Sequence, residues 1–248
     1  MSDHCLNCGN PVNVNYCEVC GQKTSTHRFS LRHIFSHDFV HGIFHLDKGF
    51  FYTIKELFIR PGHSIRHFIA GKRARHFNYF TLILLIMTVD VMLRELSPVD
   101  LGTVFQLDET EKTAAEAFDT VMKKYPKLFA LSSIPLYALF SWLFFRRARQ
   151  NFAEHLVLNG YRAAGELLIG LITSLIMIFI HDHGTLKGVM SVVAFIAVFY
   201  STFFYSQYFS VYQYSKAGLI FRSFLAVVSV YILLPIIFAI VLVAARLL

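Results

Sequence analysis

The chain has 248 residues, 55% of them hydrophobic and only 16% charged, with a mean hydropathy of +0.51. A soluble domain of this size has no core large enough for so much apolar surface and carries about 25% charge, so an ordinary soluble fold is excluded. The net charge of +7 is unevenly spread: from Lys23 to Arg75 ten Lys or Arg stand against Asp38, Asp47 and Glu56. Beside membrane helices, such a segment points to anionic headgroups and a cytoplasmic position rather than to nucleic acid.

The chain begins with Cys5-Leu-Asn-Cys8-Gly and, eight residues on, Cys17-Glu-Val-Cys20-Gly. Each CxxCG half is a knuckle: two thiolates come from one tight turn, and the following glycine lets amide N–H groups face sulfur. Two knuckles supply four soft ligands to one tetrahedral ion, the pattern of a closed structural zinc site with no open position for chemistry. Residues 1–26 are therefore expected to form a zinc ribbon, with Asn10-Pro11 as a turn signal for a small hairpin in the gap. Four unrelated thiols, a redox CxxC pair or an iron–sulfur cluster are the competing readings. Few bases lie in the knuckles, which favours protein docking or structural support over DNA binding.

Residues 27–76 alternate apolar groups with bases and histidines and hold no long apolar run. A cleavable signal peptide is not expected; the first membrane helix would serve for insertion. Phe29, Leu31, Ile34, Phe35, Phe39, Ile43 and Phe44 recur near helical spacing, as do Phe51, Ile54, Leu57 and Phe58. Two amphipathic interfacial helices are predicted, separated near Lys48-Gly49, with a break at Arg60-Pro61-Gly62 and a third short helix after it. Arg60, Arg66, Lys72, Arg73 and Arg75 form either a collar for anionic lipid or phosphate, or the plain topology anchor of a first span. His33, His37, His41 and His45 stand four apart, so neighbours can share a metal but the four cannot form one site. A pH-titrating interfacial helix explains this ladder more simply.

Five stretches carry the roughly 20 apolar residues a bilayer requires: about 77–97, 126–145, 164–181, 186–213 and 219–246. The predicted fold is an all-α integral membrane protein, a five-helix transmembrane bundle with interfacial helices and the small ribbon. The 94–124 loop has seven acids against four bases, and the 146–162 connection has four arginines against Glu154. By the positive-inside rule the N-terminus is cytoplasmic and the C-terminus outside.

CxNCG, YCxxCGQK, Thr53-Ile-x-Glu-Leu57, Arg60-Pro61-Gly62, Ile65-Arg66, Gly71-Lys72-Arg73 and Phe152-x-Glu154-His155-Leu156 together resemble an uncharacterised bacterial membrane family, a domain of unknown function with an N-terminal zinc ribbon. The likeness covers roughly residues 5–76 and 150–165. It implies the bacterial inner membrane and no particular activity. His76-Phe77 stands where the resemblance would place a proline ahead of the first span.

Within the spans, Asp90 is a functional candidate or is simply neutralised by Arg94 one turn on. Tyr205 and Tyr208 could line a polar seam. Arg162 and Glu166 read as interfacial charges beside Glu154 and His155. No P-loop, HExxH, GxSxG, dinucleotide fingerprint or inverted repeat is present. The leading reading is a non-enzymatic inner-membrane protein, a zinc-ribbon docking or assembly factor or a cytoplasmically gated oligomeric pore. Its partners would be anionic lipid, a protein at the ribbon, and further copies of itself. The alternative is a small membrane enzyme or lipid-handling protein using Glu154, His155, His37 and His41.

Overall fold

The computed structural model describes residues 4–31, 34, 49–97 and 126–247; the histidine ladder, with His37 and His41, and most of the acidic loop lie outside these. Among the described residues the chain is mostly helical and has no strands, only two isolated bridges, His4 with Pro11 and Tyr16 with Lys23. The helices are α1 (Gly49–Ile59), α2 (Pro61–Ile69), α3 (Tyr79–Glu95), α4 (Pro126–Phe144), α5 (Phe152–Phe179), α6 (His183–Phe209) and α7 (Lys216–Leu247).

Three of them are long and apolar enough to cross a bilayer: Phe152–Phe179, His183–Phe209 and, within α7, Lys216–Leu234. Their outward faces carry Ile172, Phe195, Phe199 and Ile232, all exposed. A continuous apolar exterior of this kind is untenable in water and suited to lipid. These features mark a membrane protein.

Three of the helix starts that frame the site have a local cause. Asn78 caps α3 by accepting from the Phe80 and Thr81 backbone N–H groups, so no proline is needed after the His76-Phe77 pair. Arg60 is a one-residue joint between α1 and α2, and Pro61 supplies the fixed φ that suits a first helical turn. Asn151 and Glu154 form a reciprocal capping box, which starts α5 at Phe152, twelve residues before the expected span. The 146–162 connection is therefore mostly helix: Glu154, His155 and Arg162 are buried in the bundle, while Arg146, Arg147 and Arg149 stay exposed ahead of α5.

Side-chain contacts give the directions of the helices. Tyr79 packs on Tyr161, and Asp90 accepts from Ser174, so α3 and α5 run parallel. Ser141 meets His155 and Tyr137 meets Arg162, which sets α4 antiparallel to α5. Arg162 reaches Ser201 while Gln150 reaches Tyr208, so α6 is also antiparallel to α5. Helix α2 spends its apolar face on protein: Ile65 and Phe68 are buried in the main core, and Gly62 sits against α6. A Cβ on Gly62 would stand 2.3 Å from the Phe204 carbonyl oxygen and 2.4 Å from the Tyr208 nitrogen, so only glycine permits this approach.

Candidate metal centre and its docking on the membrane domain

The two knuckles are conformational copies. The Cys5 N–H donates to Asn10 O and the Cys17 N–H to Gln22 O, each at 2.8 Å; the Gly9 and Gly21 N–H groups return to Cys5 O and Cys17 O. Gly9 and Gly21 take φ of +78° and +71°, a left-handed turn that favours glycine. Each bridge closes its own knuckle, so the eight-residue gap makes no hairpin of its own. This corrects the hairpin expectation: the bridges and backbone bonds pair residues across each knuckle rather than across the gap.

The four sulfurs lie within 4.8 Å of one another, with Cys5–Cys20 and Cys8–Cys17 separations of 3.5 Å. A tetrahedron with metal–sulfur bonds of about 2.3 Å has edges of roughly 3.8 Å, so the residues present fit one four-sulfur ion. No disulfide joins them. The Asn10 backbone and side-chain amides hydrogen-bond Cys8 and pull its thiol down to about 6, whereas burial pushes Cys20 up to about 11. A metal ion would hold all four as thiolates.

Gln22 fastens this module to the membrane domain. Its Nε2 donates to Gly71 O at 2.8 Å, and its Oε1 accepts from the Arg73 and Ala74 N–H groups at 2.8 and 3.1 Å. The side chain is only 5% exposed. Gln22 holds in one knuckle the place Asn10 holds in the other, yet Asn10 turns inward to Cys8 Sγ and Gln22 reaches outward. Arg73 completes the clamp, donating to His27 O at 3.0 Å with its guanidinium 3.8 Å over the Phe29 ring. Arg28 then ties the segment to α5 through both Glu154 oxygens, at 2.6 and 2.7 Å.

The five basic candidates separate by use. Arg66 donates to Gln207 O and Tyr208 O, satisfying carbonyls at the end of α6, and Arg60 forks onto Glu56. Arg73 belongs to the clamp. Lys72 and Arg75 line a cavity of about 790 Å³ between the cysteine module, α1 and α2. Glu154 is occupied by Arg28 and its own helix cap, and His155 is buried against Ser141 and Phe209, so the two do not share an open surface.

A second polar cluster lies within the bundle: it includes Tyr205 of the expected seam, but its centre is Arg162, which the sequence reading placed at the interface. Arg162 is 0% exposed. It pairs with Glu166, donates to Asn159 Oδ1 and Ser201 Oγ, and sits 3.4 Å over the Tyr137 ring. Tyr205 donates to Asn159, and Asn159 donates to Ser141, which meets His155 at 2.9 Å. Tyr208 is wholly buried and accepts from Gln150. The available signal was the spacing of His155, Asn159, Arg162 and Glu166, which places four polar side chains on one face of an apolar helix. Asp90 pairs with Arg94 at 2.8 Å and accepts from Ser174.

No curated protein and no solved structure matches the chain. Residues 47–90, which comprise α1, α2, the Gly71–Arg73 turn and the first part of α3, match the model of a family described as a protein of unknown function, DUF3667.

Proposed function

We propose that the chain is a non-enzymatic bacterial inner-membrane docking protein, in which a structural zinc ribbon is presented at the cytoplasmic face by a five-span bundle. The observation that carries this reading is the Gln22 clamp: the cysteine module is not a tethered bead but is seated on the turn before α3 by three hydrogen bonds. Five spans, N-terminus in and C-terminus out, agree with the alternating directions of α3 to α6 and with the basic composition of the end that carries the module. Zinc is favoured over other ions by an all-sulfur tetrahedral donor set on a reducing side.

A docking role is preferred to a pore because the polar residues between α4, α5 and α6 bond to one another instead of lining a passage. It is preferred to an enzyme because Glu154 and His155 are each consumed by packing partners. The gap between the knuckles leaves Val14 and Tyr16 exposed, and these offer an apolar contact to a protein partner or a second copy. A photo-crosslinker at Tyr16 in native membranes is expected to trap one discrete species, and the adduct should vanish in Cys5→Ser/Cys17→Ser. Dye flux through liposomes containing the protein, or turnover of their lipid, would overturn the docking reading.

A further inference from the structure

We propose that the cavity beneath the cysteine module binds a phosphate group, through Lys72 and Arg75 with Arg60 at its edge. Its walls come from three parts of the chain: Asn7, Cys8 and Cys20 of the module, Tyr52 and Glu56 of α1, and the Lys72–His76 turn after α2. At about 790 Å³ it holds a phosphate with its attached group and several waters.

Charge selects the ligand. Three fixed cations face the space against one carboxylate, and that carboxylate is already engaged, since Glu56 takes both of its bonds from Arg60 at 2.7 and 3.1 Å. Among the described residues no carboxylate pairs with Lys72 or Arg75. Burial pushes the imidazoles of His67 and His76 below their usual range, so at neutral pH they offer hydrogen-bonding groups without charge. His76 is held in the cavity wall by Ser64 Oγ, which meets its Nε2 at 2.9 Å.

The competing use for these cations is to balance the thiolates, because a metal of charge two with four thiolates carries two negative charges. The module, however, supplies a donor of its own, since Cys8 Sγ accepts from the Asn10 side-chain amide at 3.3 Å. Lys72 and Arg75 are thereby left to an external anion. A guanidinium and an ammonium together suit a phosphate better than a carboxylate, one by its planar fork and the other as a point charge. The phosphate could belong to a lipid headgroup or to a soluble molecule, and this inference does not depend on the docking role.

The test uses the full chain in two settings. Retention is measured on nanodiscs of phosphatidylcholine with and without phosphatidic acid, by native mass spectrometry of co-purified lipid. Binding of inorganic phosphate and pyrophosphate is measured by calorimetry in uncharged detergent. Lys72→Gln/Arg75→Gln is expected to lower the retained phosphatidic acid, or the affinity for the soluble anion, at least tenfold, with metal content unchanged. Lys72→Arg/Arg75→Lys should keep most of the binding, and Arg147→Gln, outside the cavity, should keep all of it. A lipid-only response assigns the site to a headgroup and a response to pyrophosphate alone assigns it to a soluble phosphate. Equal binding by wild type and the double Gln variant, no binding of either probe, or loss of metal from the double Gln variant would overturn the proposal.

Discussion

Replacing Gln22 by Ala removes the clamp without touching a sulfur. Two backbone donors, on Arg73 and Ala74, lose an acceptor at 2.8 and 3.1 Å, and the Gly71 carbonyl loses a donor at 2.8 Å. A buried hydrogen bond contributes a net of about 1 kcal/mol, and a donor left unsatisfied costs about 1–3 kcal/mol, with water entering to recover part of it. A loss of about 2–4 kcal/mol in the local opening free energy is therefore expected for the turn. Because 1.4 kcal/mol is a factor of ten, amide exchange across residues 71–76 should quicken by roughly 30- to 700-fold. Mass-spectrometric hydrogen exchange on the detergent-solubilised protein reads this peptide directly. Gln22→Glu, which keeps the acceptor and loses the donor, should fall between wild type and Ala. Asn10→Ala, at the equivalent place in the other knuckle, should leave the turn protected. Unchanged exchange in Gln22→Ala would refute the clamp.

Arg162→Ala leaves Glu166 without its partner inside the bundle and should lower stability by about 3–5 kcal/mol, read as a fall in the thermal midpoint in detergent; Arg162→Ala/Glu166→Ala should recover part of the loss. Gly62→Ala forces a Cβ against the α6 backbone and should cost about 1–3 kcal/mol in the same assay, with Gly170→Ala, which meets open space, as the neutral control. Acid should loosen the turn after α2. His76 is neutral when folded, with its imidazole held at about 4 against an ordinary 6.5, so above pH 6.5 it has no effect on stability. Between pH 6.5 and about 4 the unfolded chain binds the proton more readily, and stability falls by at most about 1.4 kcal/mol per pH unit. His76→Phe should flatten that segment of the stability–pH curve.

What the sequence disclosed depended on how local each cause was. The cysteine module was legible because metal-ligand spacing and the glycines of a left-handed turn are properties of five consecutive residues. The apolar helices α5, α6 and α7 were legible because bilayer thickness imposes a length on them. Arg162 was misread as interfacial for two reasons. The Asn151–Glu154 capping box, present in the sequence, starts α5 three turns before the apolar run, and hydropathy says nothing of which neighbour a polar face meets. The Tyr137 ring and the Ser201 hydroxyl that receive Arg162 come from other helices. Gln22 was seen only as part of a CGQK motif, because its partners lie 49 to 52 residues away. The basic collar was read as one surface, whereas packing divides it: Arg66 closes the end of α6, Arg73 grips Phe29, and Lys72 and Arg75 face the cavity.

X-ray absorption at the zinc edge of the detergent-purified chain tests the metal-seated ribbon most directly. One zinc per polypeptide is expected, with a single shell of four sulfurs at about 2.3 Å and no nitrogen or oxygen ligand. Protein purified without chelator that carried no zinc, or a shell mixing sulfur with histidine or water, would contradict the account.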